Sequence, residues 1–296
     1  MTAITDRTLA RLQAVVECPE LPDGRYMIVE RIGAGGMGTV FRARDDLLGR
    51  DVALKVCAFG GQNLDALLAE ARVLASLDHA GIVPVHDAGR LPDGRAFYVM
   101  SLVDGVTLAK RLPEIPELPD RLRLFDRLCD TISFAHARGV IHRDLTPSNV
   151  MVGPFGELRV LDWGLAARAG QPATAGGTSG YMAPEQMRGT TDPRVDVFSL
   201  GALLRDLVNT ARRTSRHPAA PLTSIIARAV AVDPDARYPS AAALADDVRR
   251  YVDGRRVGAH EETAIERLNR LGRTYRTPLL LVGAYLVMRV LLLLWR

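Results

Sequence analysis

The segment Val140-Ile-His-Arg-Asp-Leu-Thr-Pro-Ser-Asn149 places a strongly polar cluster between short apolar runs, and Asp162-Trp163-Gly164 follows soon after it. The apolar runs at 140–141, 150–152 and 160–161 have the length and composition of short strands. Strands of this kind can hold a polar loop in place at the mouth of a cleft. We therefore predict that the rest of the chain folds around this loop and that the loop carries the chemistry of the protein.

The composition is that of a globular protein of the reducing cytosol. The 296 residues are 48% hydrophobic and 24% charged, with a net charge of +4. No basic block has interleaved aromatic residues, so nucleic-acid binding is not expected. The three cysteines (Cys18, Cys57 and Cys129) are far apart and odd in number, which argues against a disulfide framework or a zinc site. Among the 38 basic residues only Lys55 and Lys110 are lysines, so each invites a functional explanation.

A glycine-rich turn follows the alternating apolar pattern that begins at Tyr26. Gly33, Gly35 and Gly38 form a G-x-G-x-x-G sequence that Val40 completes. A dinucleotide-binding turn has the same glycines, but it requires a helix after the last one. Residues 39–44 instead have the pattern of a strand, so the glycines lie at the tip of a hairpin. Backbone N–H groups there can approach phosphate oxygens, and a merely flexible hairpin is the alternative.

Lys55, in the sequence Val52-Ala-Leu-Lys55, lies in a predicted strand with apolar residues on both sides of it. A charge in such a strand is costly unless it is paired or bound to an anion. The predicted helix at 64–77 carries Glu70 beside its apolar stripe, so Glu70 is the expected partner. A lysine in a chain that otherwise uses arginine indicates a need for a compact ammonium group. A surface lysine with its stem packed along the strands is the alternative.

Taken in order, G-x-G-x-x-G-x-V, V-A-L-K, a helical glutamate, H-R-D-L-x-x-x-N and D-x-G resemble the eukaryotic-like (Hanks-type) Ser/Thr protein kinases of bacteria. The resemblance covers residues 25–253. It implies an α+β, bilobal protein-kinase fold, with a small antiparallel β lobe containing one helix (25–102) and a larger, mainly α lobe (103–253). It further implies Mg²⁺-ATP as phosphate donor (with Mn²⁺ as an alternative metal), protein substrates with Ser/Thr acceptors, and homodimers that autophosphorylate in trans.

The resemblance also assigns catalytic and nucleotide-binding roles. Asp144 would accept or orient the proton of the acceptor hydroxyl, Asn149 would bind metal and steady Asp144, and Asp162 would be the main Mg²⁺ ligand. Lys55, paired with Glu70, would hold the ATP phosphates. The other residues expected at the nucleotide come from the glycine turn, the strands beside it and the hinge: Ile32, Gly33, Gly35, Gly36, Gly38, Val40, Ala53, Met100, Ser101 and Val103. For Met100, ordinary core packing is an equal alternative.

Further residues are expected to support this site from behind. The ring of His142 would pack beneath Trp163, and Asp196 would hold the backbone of the catalytic loop. Arg143 would pair with a phosphorylated residue of the activation segment.

The activation segment contributes four more residues to the resemblance. Glu185, which ends an Ala-Pro-Glu sequence, would pair with Arg237. Thr174 is the expected regulatory phosphosite, with an unmodified threonine as the alternative. Thr178 would pack near Asp144.

The chain departs from the family pattern in three places. Trp163 replaces a phenylalanine and can still pack behind the metal site. Thr146 stands where a lysine usually contacts the transferred phosphate, so one element of charge stabilisation is missing. Only residues 209–221 separate two predicted helices, which is too short for the usual docking helix. A nucleotide-binding pseudokinase scaffold and a small-molecule phosphotransferase are therefore the alternatives to a protein kinase.

The ends of the chain are expected to lie outside the kinase domain. Residues 1–24 form an N-terminal extension with a short helix at 5–16, and residues 254–277 form a basic juxtamembrane segment. Leu279 to Trp295 contain Arg289 as their single charge and would span about 26 Å as a helix. We predict a single-pass transmembrane helix at 278–296 of a bacterial cell membrane, with the kinase domain on the cytoplasmic side. An interfacial helix or a partner-binding helix is the alternative.

Overall fold

The structure is a computed structural model that describes residues 19, 21, 24–35, 38–57, 64–211, 220–263, 267 and 276–295. The helix predicted at 5–16 and the glycine Gly36 lie outside the described residues. The basic segment predicted at 254–277 is described only in part.

The first lobe is an antiparallel sheet with one helix packed on it. Its strands pair in the order β1-β2-β3-β5-β4. They are β1 (Tyr26–Gly35), β2 (Gly38–Asp45), β3 (Arg50–Val56), β4 (Val85–Arg90) and β5 (Ala96–Ser101). Helix α1 (Leu64–Ala75) contacts β4 and β5. The β1–β2 hairpin turns at the glycine sequence, as predicted.

One strand begins later than the sequence pattern suggests. The apolar residues from Ile82 onward have the pattern of a strand, but β4 begins at Val85. Pro84 has no N–H group to donate to a ladder, so pairing starts only after it. Ile82 instead forms an isolated bridge with Val160 and so connects the first lobe to the second.

The second lobe is mainly helical. Its helices are α2 (Leu108–Arg111), α3 (Leu118–Ala137), α4 (Arg194–Ala211), α5 (Ala220–Ala229) and α6 (Ala241–Val252). Helix α3 packs against both α4 and α6, and α5 packs against α4. Gly201 allows the close approach of α4 and α5, because a Cβ there would lie 2.6 Å from the Cβ of Ala229. The predicted bilobal α+β architecture is confirmed.

Short strands hold the polar loop. They are β6 (Val106–Thr107), β7 (Val140–Ile141), β8 (Val150–Val152), β9 (Leu158–Val160) and β10 (Ala167–Arg168). Strand β7 pairs with β10, and β6, β8 and β9 form a three-stranded sheet. The polar residues 142–149 therefore run from β7 to β8 and are fixed at both ends, as the apolar runs predicted.

A continuous hydrophobic core connects the two lobes. It extends from Leu67 and Leu74 of α1 through Phe125 and Ile132 of α3 to Leu244 of α6. A smaller cluster covers the other face of the sheet. Because packed side chains cross the lobe boundary, the polar loop is held against the first lobe.

The chain ends in helix α7 (Arg276–Leu294). None of the helices formed by the described residues is both long enough and apolar enough to cross a membrane. The transmembrane helix predicted at 278–296 is therefore not supported.

Candidate active site

A cleft with a volume of about 1080 Å³ lies between the two lobes. Most of the residues predicted at the nucleotide line it, together with the predicted catalytic residues: Ile32, Gly33, Gly38, Val40, Ala53, Lys55, Met100, Ser101, Val103, Asp144, Asn149, Asp162 and Trp163. Gly35 ends β1 at the hairpin tip, and Glu70 lies buried behind Lys55. The structure thus brings into one cavity residues that are spread over about half of the chain.

The hairpin tip has a strict requirement at Gly38. Its φ is +143°, and a Cβ there would lie 2.1 Å from the backbone oxygen of Val56. No other residue fits this position without moving strand β3. At Gly33 a Cβ would meet only the Cβ of Val40, at 3.8 Å, so the fold itself does not require that glycine.

Lys55 joins the two walls of the cleft. Its Nζ lies 2.9 Å from both carboxylate oxygens of Glu70 and 3.3 Å from Oδ1 of Asp162. Burial lowers the pKa of Lys55, but the negative charges of Glu70 and Asp162 more than offset this effect, so its pKa is raised. Lys55 therefore remains a cation at neutral pH although it is buried.

Tyr98 completes this cluster, and our sequence reasoning missed it. Its hydroxyl donates a 3.0 Å hydrogen bond to Oε1 of Glu70. Burial and the neighbouring Glu70 raise the pKa of Tyr98, so the hydroxyl keeps its proton and remains a donor. Tyr98 lies opposite Lys55 in the register of β3 and β5, and that register was the signal that would have revealed it.

Asp144 is held from two sides. Its Oδ1 accepts hydrogen bonds from the backbone N–H of Thr178, at 2.9 Å, and from the Thr178 hydroxyl, at 2.8 Å. The Nδ2 group of Asn149 donates to Oδ2 of Asp144, at 3.1 Å, and to its backbone oxygen, at 2.8 Å. A carboxylate has about four acceptor sites, so it can still accept a hydrogen bond from a hydroxyl in the cleft.

Asp196 supports the loop from below. It is fully buried in the first turn of α4 and accepts the backbone N–H groups of His142, at 2.9 Å, and Arg143, at 2.8 Å. Its Oδ2 also lies 2.7 Å from Nε2 of His136, a residue that our sequence reasoning did not single out. Burial raises the pKa of Asp196. The hydrogen bond with His136 and the other nearby donors lower the pKa by more than burial raises it, so Asp196 is ionised.

His142 has a structural arrangement. Its Nδ1 accepts the backbone N–H of Asp144, at 3.2 Å, while Nε2 lies 3.0 Å from the backbone oxygen of Leu161. Since Nδ1 accepts, the proton of the neutral ring must be on Nε2. The ring also packs against Trp163, with ring centres 4.6 Å apart.

Backbone strain is concentrated at this site. Among the described residues other than glycine, Arg143 and Asp162 have positive φ, at 71° and 56°. Such conformations are unfavourable and persist only where surrounding contacts enforce them. For Arg143 these contacts are the hydrogen bond from its N–H to Asp196 and the 2.6 Å hydrogen bond from Nε2 of Gln186 to its backbone oxygen.

The activation segment lies against Arg143. The buried guanidinium group donates to the backbone oxygens of Leu165, at 3.3 Å, and Thr174, at 2.7 Å. The side chain of Thr174 is exposed. Gln186, which our sequence reasoning missed, is buried and also donates to the backbone oxygen of Gly176. Arg143 and Gln186 therefore both bind the backbone of this segment in its unphosphorylated form.

Arg237 and Glu185 form a buried ion pair at the end of the activation segment. The two guanidinium nitrogens lie 2.6 and 2.9 Å from the two carboxylate oxygens. The Arg237 side chain is 0% exposed and the Glu185 side chain 8% exposed. The remaining N–H groups of Arg237 donate to the backbone oxygens of Arg194, Ala231 and Val232, so all five donors are used.

Two residues could hold a metal ion. The Nδ2 group of Asn149 is used by Asp144, which leaves its amide oxygen for a cation, and the Asp162 carboxylate faces the same cleft. Across the described ranges no group of three or more His, Cys, Asp or Glu side chains is placed to bind a metal. Two oxygen ligands suit Mg²⁺, which keeps several waters and binds substrate phosphates. The residues therefore fit the predicted metal.

Thr146 lies in the loop between Asp144 and Asn149 and is buried. The segment from 144 to 149 contains no cation. These six residues therefore offer no positive charge to a transferred phosphate.

The chain is similar to known proteins over most of its length. The protein kinase domain family matches residues 26–252. Serine/threonine-protein kinase PknD of Chlamydia caviae is 30% identical over 78% of this chain and 31% of its own length. PknL of Mycobacterium tuberculosis is 36% identical over 79% of this chain and 59% of its own length. The DNA damage-responsive kinase RqkA of Deinococcus radiodurans is 40% identical over 61% of this chain and 29% of its own length. The chain spans about a third of the length of the first of these relatives.

Proposed function

Since the chain belongs to the protein kinase family, we propose that it is an ATP-dependent Ser/Thr protein kinase of bacterial signalling. It transfers the γ-phosphate of ATP to Ser and Thr hydroxyls of proteins, including its own. The observation that supports this most is the contact of Lys55 with both Glu70 and Asp162 across the cleft. This contact leaves one protonated ammonium group beside the carboxylate that would hold the metal.

Lys55 and the β1–β2 hairpin would bind the phosphates. The ammonium group of Lys55 is fixed by Glu70, which in turn accepts the hydroxyl of Tyr98. Magnesium, held by Asp162 and Asn149, would neutralise part of the phosphate charge. Positioning and electrostatic stabilisation of this kind supply most of the catalysis of phosphoryl transfer.

Asp144 would act on the acceptor. Its carboxylate is oriented by Asn149 and Thr178, so it can accept a hydrogen bond from the Ser or Thr hydroxyl and align that oxygen with the phosphate. Thr178 donates two hydrogen bonds to Oδ1 of Asp144, one from its backbone N–H and one from its hydroxyl. The activation segment and the catalytic carboxylate are thus coupled, and displacement of Thr178 would misplace Asp144.

The test is phosphate transfer from labelled ATP by the purified full chain, to itself and to a panel of protein acceptors. Asp144→Asn and Lys55→Met should each lower the rate by about 10²–10⁴-fold. Asp120→Asn and Arg123→Met are matched controls, because these two side chains form an exposed ion pair on α3, away from the cleft. Both controls should keep the wild-type rate.

Autophosphorylation in trans, by a homodimer, is part of the proposal. A tagged Lys55→Met chain should become labelled when it is mixed with the wild-type chain. Labelling of the wild type alone would instead indicate transfer within one chain.

A pseudokinase scaffold is the second candidate function. The buried, uncharged Thr146 favours it, because the catalytic loop then lacks a cation for the transferred phosphate. Nucleotide binding without transfer to any acceptor, with Mg²⁺ or Mn²⁺, would favour this scaffold. Transfer to small molecules but to no protein would favour a small-molecule phosphotransferase.

A further inference from the structure

The cleft contains one lysine whose charge is not neutralised. Three cations line the cleft, namely Arg42, Lys55 and Lys110. Arg42 pairs with Asp51 and with Glu30, and Lys55 pairs with Glu70 and Asp162. The side chain of Lys110 has neither an ion pair nor a hydrogen bond with any residue that the structure describes. Any anion that Lys110 binds therefore comes from outside these residues.

Lys110 is attached to the catalytic loop through its neighbour. It belongs to α2, where the backbone N–H of Ala109 donates a 3.1 Å hydrogen bond to the backbone oxygen of Pro147. Thr107, at the end of β6, is paired with Met151 directly after that loop. The position of Lys110 relative to Asp144 is therefore set by backbone contacts rather than by a mobile surface loop.

The surroundings of Lys110 indicate where its anion would lie. Lys110 is exposed, whereas Lys55 is buried on the opposite wall in β3. The phosphate end of the cleft already contains Lys55 together with Asp162 and Asn149. The ammonium group of Lys110 is instead exposed in the large lobe, and Lys110 lines the same cleft as Asp144.

The other charged groups near Lys110 do not provide that anion. Arg111, its neighbour on α2, pairs with Glu114. Asp104 lines the same cleft and is exposed, but it forms no ion pair with Lys110 within 4.0 Å. Ser148 of the catalytic loop also lines the cleft and has no charge. The part of the cleft wall that α2 contributes therefore carries a positive charge that no described residue neutralises.

We propose that Lys110 binds an acidic side chain of the protein acceptor and so gives the enzyme a preference for Ser or Thr residues in acidic segments. This inference rests on the proposed kinase function, since it concerns the acceptor of that reaction. The lysine acts as a specificity-determining residue: its ammonium group attracts a carboxylate and repels a basic acceptor at the same position.

The test uses three peptides that differ only in the residues flanking a single serine, which are Asp, Asn or Lys. For the wild type, kcat/KM should be highest for the Asp peptide and lowest for the Lys peptide. Lys110→Ala should lower kcat/KM for the Asp peptide about three- to fivefold and leave the Asn peptide unchanged, as expected for a rim ion pair. Lys110→Arg should restore the preference, and Lys110→Glu should reverse it.

Arg123→Ala is the matched control, because it removes an exposed cation on α3 outside the cleft. It should leave the ratio of kcat/KM for the Asp and Lys peptides unchanged. Equal kcat/KM for the three peptides with the wild type would overturn the proposal. A rise in KM for ATP, or an equal fall of kcat for all peptides in Lys110→Ala, would place the anion on the nucleotide and would overturn it too.

Binding of fluorescently labelled peptides to the full chain separates this proposal from the kinase function itself. If no phosphate is transferred, the proposed function fails, but the peptide affinities still answer the question about Lys110. A tighter affinity for the Asp peptide that Lys110→Ala abolishes supports the acidic site. Affinities that do not depend on Lys110 overturn it.

Discussion

Replacing Glu185 with alanine should lower the free energy of unfolding by about 3–5 kcal/mol, because it leaves the guanidinium group of Arg237 buried without a counter-charge. The burial and geometry of this ion pair place the expected loss of unfolding free energy at the upper end of this range. Arg237 has no exposed side-chain surface, and its two terminal nitrogens lie 2.6 and 2.9 Å from the carboxylate. The three backbone oxygens that Arg237 also binds hold the guanidinium in place, so it cannot move to solvent without breaking them.

The assay is equilibrium unfolding of the purified full chain in urea, followed by circular dichroism. Glu114→Ala is the matched control, because Glu114 is 61% exposed in its pair with Arg111 and its removal should change stability by less than about 1 kcal/mol. In thermal unfolding, the predicted loss corresponds to a fall in Tm of about 6–20 °C for a domain of this size.

The outcome for Glu185→Ala has a clear threshold. A loss below about 1 kcal/mol, similar to that of Glu114→Ala, would refute the argument that burial makes this ion pair indispensable. Glu185→Gln keeps an acceptor for Arg237 but removes the charge, so it should fall between the wild type and Glu185→Ala. If Glu185→Gln is as unstable as Glu185→Ala, the charge rather than the hydrogen bond determines the effect.

Two further predictions concern the catalytic loop and the sheet. Thr146→Lys should raise kcat about tenfold, equivalent to about 1.4 kcal/mol, because it gives the loop a cation for the transferred phosphate. Thr146→Met introduces a side chain of similar length without a charge and should leave kcat unchanged. A rise in kcat with Thr146→Met would contradict the reasoning. Burial and the hydrogen bond to Asp87 raise the pKa of Tyr26 from 10.0 to about 12, so its protonated form is stabilised in the folded state. Stability should therefore be complete below pH 10 and fall as the pH rises through about 12. Denaturant unfolding at a series of alkaline pH values should show this slope in the wild type and a smaller one in Tyr26→Phe.

Much of the candidate site could be predicted because its residues lie close together in the chain. The polar loop from His142 to Asn149 and the pair Asp162-Trp163 belong to one short stretch bracketed by strands β7, β8 and β9. Local spacing alone therefore brings these groups together. The Lys55–Glu70 contact could also be anticipated, since an apolar strand and the helix after it each contain one charged residue that needs a partner.

Other residues were missed because their partners are distant in sequence. Tyr98 reaches Glu70 only through the register of β3 and β5, and His136 reaches Asp196 only because α3 packs against α4. Gln186 donates a hydrogen bond to the backbone oxygen of Arg143, and no side-chain pattern in the sequence reveals this contact. The transmembrane helix predicted at 278–296 is not supported by the helices that the described residues form.

The sequence by itself determined the order of the lobes and the chemical groups of the catalytic loop. A polar residue between two apolar strands can be recognised without knowing what packs around it. Only the tertiary structure decided which charges remain unpaired. Lys110 is one of two lysines in the sequence, but the contact of α2 with the catalytic loop holds it in the cleft wall, where no described residue pairs with its side chain. Electrostatic neutralisation depends on distances of a few ångströms, and those distances are set by packing between segments far apart in the chain.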